Sequence, residues 1–295
     1  MTLATEQLPP LTRRARSRRK TGLRRSGSRL GNALRSVLGA SILALLLYPV
    51  FWLVSASFQP GATAATVTPL PLPPSLDAFQ QAFEDQASNI VTSLIVGVGT
   101  ALLAVAIAAP AAFGLARLRS RFVDVVLITL FIAQIVPGIV LANSLYTMFN
   151  SVGLVNTYFG LMLANASGTL PFAILLLRSF MREIAKETLE AARLDGAGQV
   201  RTFFSIVVPL SRNALITAGI FGFLAGWGDF LFALTLTTSA EIRTITIGIY
   251  QYLSSPNVEW SAVMGASVLA SVPAIILLLL LQRYLKAGLA QGSGK

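Results

Sequence analysis

Six apolar stretches, each long enough to cross a hydrocarbon layer of roughly 30 Å, dominate this chain and leave it few other ways to fold. They run from about Val37 to Phe58, Ile90 to Ala116, Phe122 to Tyr146, Tyr158 to Leu177, Leu215 to Leu236 and Ala262 to Leu281. Of the 295 residues, 54% are hydrophobic and 12% charged, against about 25% charged in soluble domains. The expectation is an all-α, polytopic membrane protein with six transmembrane helices. Pro110, Pro137 and Pro171 lie inside the blocks, where neighbouring helices can re-satisfy the carbonyls that a proline frees.

Charge placement orients the chain. Ten of the 23 Lys and Arg residues lie between Arg13 and Arg35, three between Arg117 and Arg121, six between Arg178 and Arg212, and three at Arg283, Lys286 and Lys295. Arg243 is the single one in an opposite-side loop. The positive-inside rule then puts both termini of a multi-pass membrane protein in the cytoplasm. Residues 1–35 are too basic and too poor in apolar side chains to pack, so a disordered cytoplasmic tail is expected there. Residues 36–285 form the membrane domain, with a cytoplasmic loop at 181–212, and 286–295 a short C-terminal tail. Anionic lipid at the cytoplasmic surface suffices to explain the basic tail, so membrane lipid is the expected partner and nucleic acid is not.

The chain has no Cys and no His, which removes disulfides, thiolate chemistry, the usual zinc sites and an imidazole base. No catalytic or metal site is expected. The terminal Gly292-Ser293-Gly294-Lys295 lacks the glycine spacing and the following Ser or Thr of a phosphate-binding loop.

The loop at 181–212 is the one connection with a dense pattern of its own. Strong helix formers from Ile184 to Asp195 place Ala185, Leu189 and Ala192 on one face. Gly196 then supplies a left-handed helix end, and an apolar run of Phe203, Phe204, Ile206 and Val207 stops at Pro209. Two roles fit these residues: docking into a partner's groove, and resting on lipid headgroups.

Glu190-Ala191-Ala192-Arg193-Leu194-Asp195-Gly196-Ala197, followed by Phe204, Ile206 and Pro209-Leu210, resembles the EAA loop of binding-protein-dependent ABC permeases. Trp227-Gly228-Asp229-Phe230-Leu231, Thr244 to Ile249, Trp260 to Leu269 and Gln282-Arg283-Tyr284-Leu285 resemble the MalG-type branch, which imports oligosaccharides and related solutes. Gly228 and Asp229 stand where Asn and Glu are usual, and Asn213 where proline is common. The resemblance implies a MetI-like fold and a carbohydrate permease whose Glu190, Ala191, Ala192, Asp195, Gly196, Ala197, Phe204, Ile206 and Pro209 form the coupling loop. It also implies a second permease subunit in a heterodimer, two cytoplasmic ATPases that bind the ATP and Mg, an extracytoplasmic solute-binding protein, and a place in a bacterial plasma membrane.

Asn143, Tyr146, Asn165, Trp227 and Asp229 offer polar groups and aromatic faces suited to a sugar path, although each type also serves as a helix contact. Asp229 is expected near the end of the fifth apolar helix, deeper in it than Asp124 is in the third, in a structural or partner-facing role. An ion-coupled secondary transporter is the rival function, and it requires repeated half-domains and mid-membrane ionisable groups.

Overall fold

The computed structural model describes residues 29–59, 61, 66–71, 73–118, 120–239, 241–254 and 258–292, and the side chains of 31–282 within that set. Among these residues every regular element is helical: α1 Arg29–Ser57, α2 Asp77–Arg117, α3 Arg121–Ala133, α4 Gly138–Ser151, α5 Tyr158–Glu183, α6 Lys186–Leu194, α7 Gln199–Thr202, a π-helical turn Phe203–Val207, α8 Val208–Leu210, α9 Arg212–Trp227, α10 Leu231–Leu236, α11 Ile245–Leu253 and α12 Trp260–Gly292. The chain divides into two compact units at Pro49. The first contains the exposed apolar part of α1. Most of the expected basic tail, 1–28, lies outside the described residues, but 29–35 already belong to α1. At the other end α12 carries the backbone to Gly292, through most of the expected 286–295 tail.

Four helices are long and apolar enough to cross a membrane unbroken: Gly31–Ser57, Asp77–Arg117, Tyr158–Glu183 and Trp260–Gln282. Two further apolar helix pairs are sharply bent at a short break, Arg121–Ala133 with Gly138–Ser151 at 100° and Gln199–Leu210 with Arg212–Trp227 at 80°, and each is long and apolar enough to cross only if the pair counts as one span. The expected unbroken third span is therefore corrected. Pro137 has no N–H and biases Val136 away from helical geometry. The helix restarts when Val140 N–H bonds the Pro137 carbonyl at 3.0 Å. The fifth block is also split, because Gly228, Asp229 and Phe230 separate α9 from α10.

Small residues decide how closely the spans of the second unit approach. A Cβ on Gly222 of α9 would stand 3.0 Å from Ala101 Cα, and one on Gly226 would stand 2.7 Å from Thr100 Oγ1 and 3.1 Å from Gly97 Cα. This small-xxx-small stripe lets the α2 and α9 backbones meet where lipid offers no hydrophobic drive. The Trp227 indole then ties α9 to α12, donating to the Ala270 carbonyl at 2.9 Å, while its ring stacks on Phe223 with centroids 5.8 Å apart.

At the end of the bundle away from the 181–212 loop, Tyr252 of α11 donates its hydroxyl to Asp85 of α2 at 2.8 Å. Burial, with the neighbouring Asp85 carboxylate adding to it, pushes the phenol up to about 12.

Candidate functional site: the loop between α5 and α9

The loop begins where Ile184 turns extended after α5, and α6 follows with two distinct faces. Leu189 and Ala192 are buried, whereas Glu190, Ala191, Arg193 and Leu194 are exposed. Asp195 and Gly196 form a full Schellman end: Gly196 N–H bonds the Arg193 carbonyl at 3.0 Å and Ala197 N–H the Ala192 carbonyl at 2.9 Å. Gly196 sits at φ +78°, the left-handed conformation that glycine adopts without a steric cost. The turn sends the chain back as α7, where Thr202 bonds the Gly198 carbonyl at 3.0 Å.

Pro209 shapes the return segment. Its ring opposes the carbonyl four residues earlier, and the helix widens over Phe203–Val207 so that Val208 N–H reaches back to the Phe203 carbonyl. This π turn aims successive side chains to different sides: Val207 is buried, Ile206 half-buried and Phe204 exposed.

Leu189 and Val207 belong to one buried cluster with Ala108, Ala112, Leu177, Met181 and Ala218. Both arms of the loop are thus keyed into the ends of α2, α5 and α9. Two arginines lock the base. Arg117, the last residue of α2, donates to the carbonyls of Met181 at 2.9 Å and Ile184 at 3.4 Å, and Arg178 of α5 returns a bond to Leu115 at 3.2 Å. Cations at helix C-termini also suit the negative end of the helix dipole.

The outer surface of the knob is apolar as well as charged. Leu194 is 89% exposed, Val200 72% and Phe204 64%. Phe204 is braced edge-on by Phe203 at 5.0 Å, which in turn contacts Phe113 of α2 at 5.6 Å. Of the nine loop positions singled out in the sequence, Ala192 is buried and Ala197 and Ile206 half-buried, while Glu190, Ala191, Asp195, Gly196, Phe204 and Pro209 face outward. Leu194 and Val200 were not among them. The signal for Leu194 was present in its register, since it lies off the face defined by Leu189 and Ala192.

A cleft of about 330 Å³ lies between the ends of α2 and α5 and one face of α6; Arg117, Arg178, Arg182, Lys186, Glu190 and Arg193 line it. An apolar groove of about 560 Å³ runs between α2 and the return arm, with Pro110, Phe113, Val200 and Phe204 in its walls.

The five residues proposed for a sugar path do not converge on one surface. Asn165 is buried and bonds the Leu161 carbonyl at 3.0 Å, and it faces the carboxylate of Asp229. Trp227 is buried in the α9–α12 contact. Asn143 and Tyr146 lie exposed on α4. Asp229 lies just past the end of α9. It stands at the α9–α10 break and accepts the N–H groups of Phe232 at 3.1 Å and Ala233 at 2.8 Å, so its carboxylate caps α10. Among the described residues no group of three or more His, Cys, Asp or Glu side chains is placed to hold a metal.

Residues 101–291 match the family model described as "Binding-protein-dependent transport system inner membrane component". A probable ABC transporter permease protein of Sinorhizobium fredii is 34% identical over 252 residues, covering 84% of this chain and 90% of the relative. The trehalose/maltose transport system permease protein MalG of Thermococcus litoralis is 30% identical over 267 residues, covering 88% and 95%. The structure of a bacterial ABC transporter that imports the acidic polysaccharide alginate superposes with a TM-score of 0.73 at 19% identity, covering 87% of this chain and 96% of that one, and so shares the fold. The chain therefore belongs to the family of binding-protein-dependent transport system inner membrane components.

Proposed function

We propose that this chain is a permease subunit of an ATP-driven importer for a carbohydrate, with both termini in the cytoplasm, and that the 181–212 loop is the handle through which an ATPase moves the spans. The observation that carries the coupling role is the split character of the loop. Leu189 and Val207 are fixed in the buried cluster at the ends of α2, α5 and α9, while Leu194, Val200 and Phe204 lie bare on the outer side. A partner that grips the bare side moves the rooted side with it, because the intervening turn is closed by its own backbone bonds. The carbohydrate assignment is supported by relatives whose names specify trehalose and maltose.

In this arrangement a second permease subunit completes the path, two cytoplasmic ATPases bind the ATP and Mg, and an extracytoplasmic binding protein delivers the solute. The differential contact needed for alternating access arises when ATPase closure favours one position of the loop over the other. Ion coupling gains no support, because Asp229 is engaged in capping α10.

Leu194→Asp with Phe204→Asp provides the test. Both side chains are exposed, so insertion and melting should match wild type. Capture of the cognate ATPase should fall at least about tenfold, as expected when apolar anchors of an interface become charged. Undiminished capture together with normal ATP-dependent uptake would refute the handle.

A further inference from the structure

The geometry points to a phosphate site in the cleft at the base of the loop, occupied by the headgroup of an anionic phospholipid. Five cations line it against one carboxylate, Glu190. They come from three helices in register: Arg117 ends α2, Arg178 and Arg182 lie four residues apart near the end of α5, and Lys186 and Arg193 share a face of α6 with Glu190. Arg117 and Arg178 are held in place by backbone carbonyls, and the Nε of Arg117 is buried without a hydrogen-bond partner. Arg182 and Lys186 are exposed. Fixed guanidinium groups suit a phosphate because they present paired donors in a rigid plane.

Depth and lining favour lipid over a soluble anion. Arg117 and Arg178 sit at or near the ends of helices long and apolar enough to span a membrane, which is the level of headgroups. The cations share the walls with Ala116, Leu118 and Leu189, apolar surface suited to the first methylenes below a glycerophosphate. Basic pockets between membrane helices are a recurrent headgroup-binding arrangement. The cleft shares Glu190 with the 181–212 loop but does not include Leu194, Val200 or Phe204, so lipid retention and ATPase capture can be read apart.

The test is native mass spectrometry of the full-length chain released from nanodiscs of equal phosphatidylglycerol and phosphatidylcholine. Wild type should retain phosphatidylglycerol selectively. Arg182→Gln with Lys186→Gln should lower that retention about thirtyfold, roughly fivefold for each cation removed. Arg182→Lys with Lys186→Arg should restore it, and Arg201→Gln with Arg212→Gln, outside the cleft, should behave as wild type. Should the double variant fail to insert, Arg182→Gln alone should show the fivefold loss. Equal retention in wild type and variant would overturn the site. Variant-sensitive binding of inorganic phosphate without retained phosphatidylglycerol would overturn the lipid assignment. Loss of ATPase capture with unchanged lipid retention would overturn it in favour of an acidic protein partner.

Discussion

Replacing Gly196 isolates the backbone turn from everything around it. A Cβ there meets nothing within 4 Å, yet the residue sits at φ +78°. Gly196→Ala therefore carries only the conformational cost of a left-handed L-residue, about 1–2 kcal/mol. That shifts the balance between the closed and opened turn about five- to thirtyfold. Gly196→Asn should cost less, because its short polar side chain tolerates this region. Gly196→Pro should cost most. It fixes φ near −65° and deletes the N–H that bonds Arg193 at 3.0 Å, so the Schellman end cannot form. The assay is the ratio of solute imported to ATP hydrolysed in proteoliposomes carrying the reconstituted complex. The expected order is wild type, Asn, Ala, Pro, with insertion unchanged throughout and coupling abolished in the last. Equal coupling in the Ala and Pro variants, or normal uptake with Pro, would refute the claim that the turn transmits force.

Gly226→Val should lower the melting temperature in detergent, since its Cβ would lie 2.7 Å from Thr100 Oγ1; overpacking of this kind costs about 1–3 kcal/mol. Asp229→Ala should destabilise by about 1 kcal/mol through loss of the α10 cap, with Asp229→Asn milder; reduced uptake at unchanged melting would instead mark a substrate contact. Tyr252, whose phenol is raised from 10.0 to about 12, stabilises the folded chain fully below pH 10. That contribution should fade as pH rises towards 12, and Tyr252→Phe should melt with less pH dependence in that window. A wild-type curve flat between pH 10 and 12 would contradict the burial of the phenol beside Asp85.

Hydropathy located the apolar blocks because burial in lipid demands long apolar runs, but it carried no mark of where a run bends. Pro110, Pro171 and Pro273 lie within continuous helices, whereas Pro137 stands at the N-cap of α4, past the end of α3, so proline alone does not decide. Asp229 shows the same limit from the polar side. A carboxylate in an apolar block marks an expensive position, yet only the fold shows that its oxygens are taken by the N–H groups of Phe232 and Ala233. The 181–212 loop was more legible, since Leu189, Ala192 and Gly196 announce a face and a terminus within a few residues. The exposure of Leu194 followed from its register against Leu189 and Ala192, but that of Val200 depended on which side the spans would cover, which is information from distant segments. The basic cleft was equally out of reach, because Arg117 and Arg182 meet only once α2 and α5 are packed.

Coupling requires the loop to face the cytoplasm and to be covered by the ATPase. The chain contains no cysteine, so Leu194→Cys introduces a single thiol at a position 89% exposed. A membrane-impermeant maleimide should label it in inside-out vesicles, fail to do so in right-side-out ones, and be blocked once the ATPase is bound. Labelling from the outside, or labelling undiminished by the ATPase, would contradict the account.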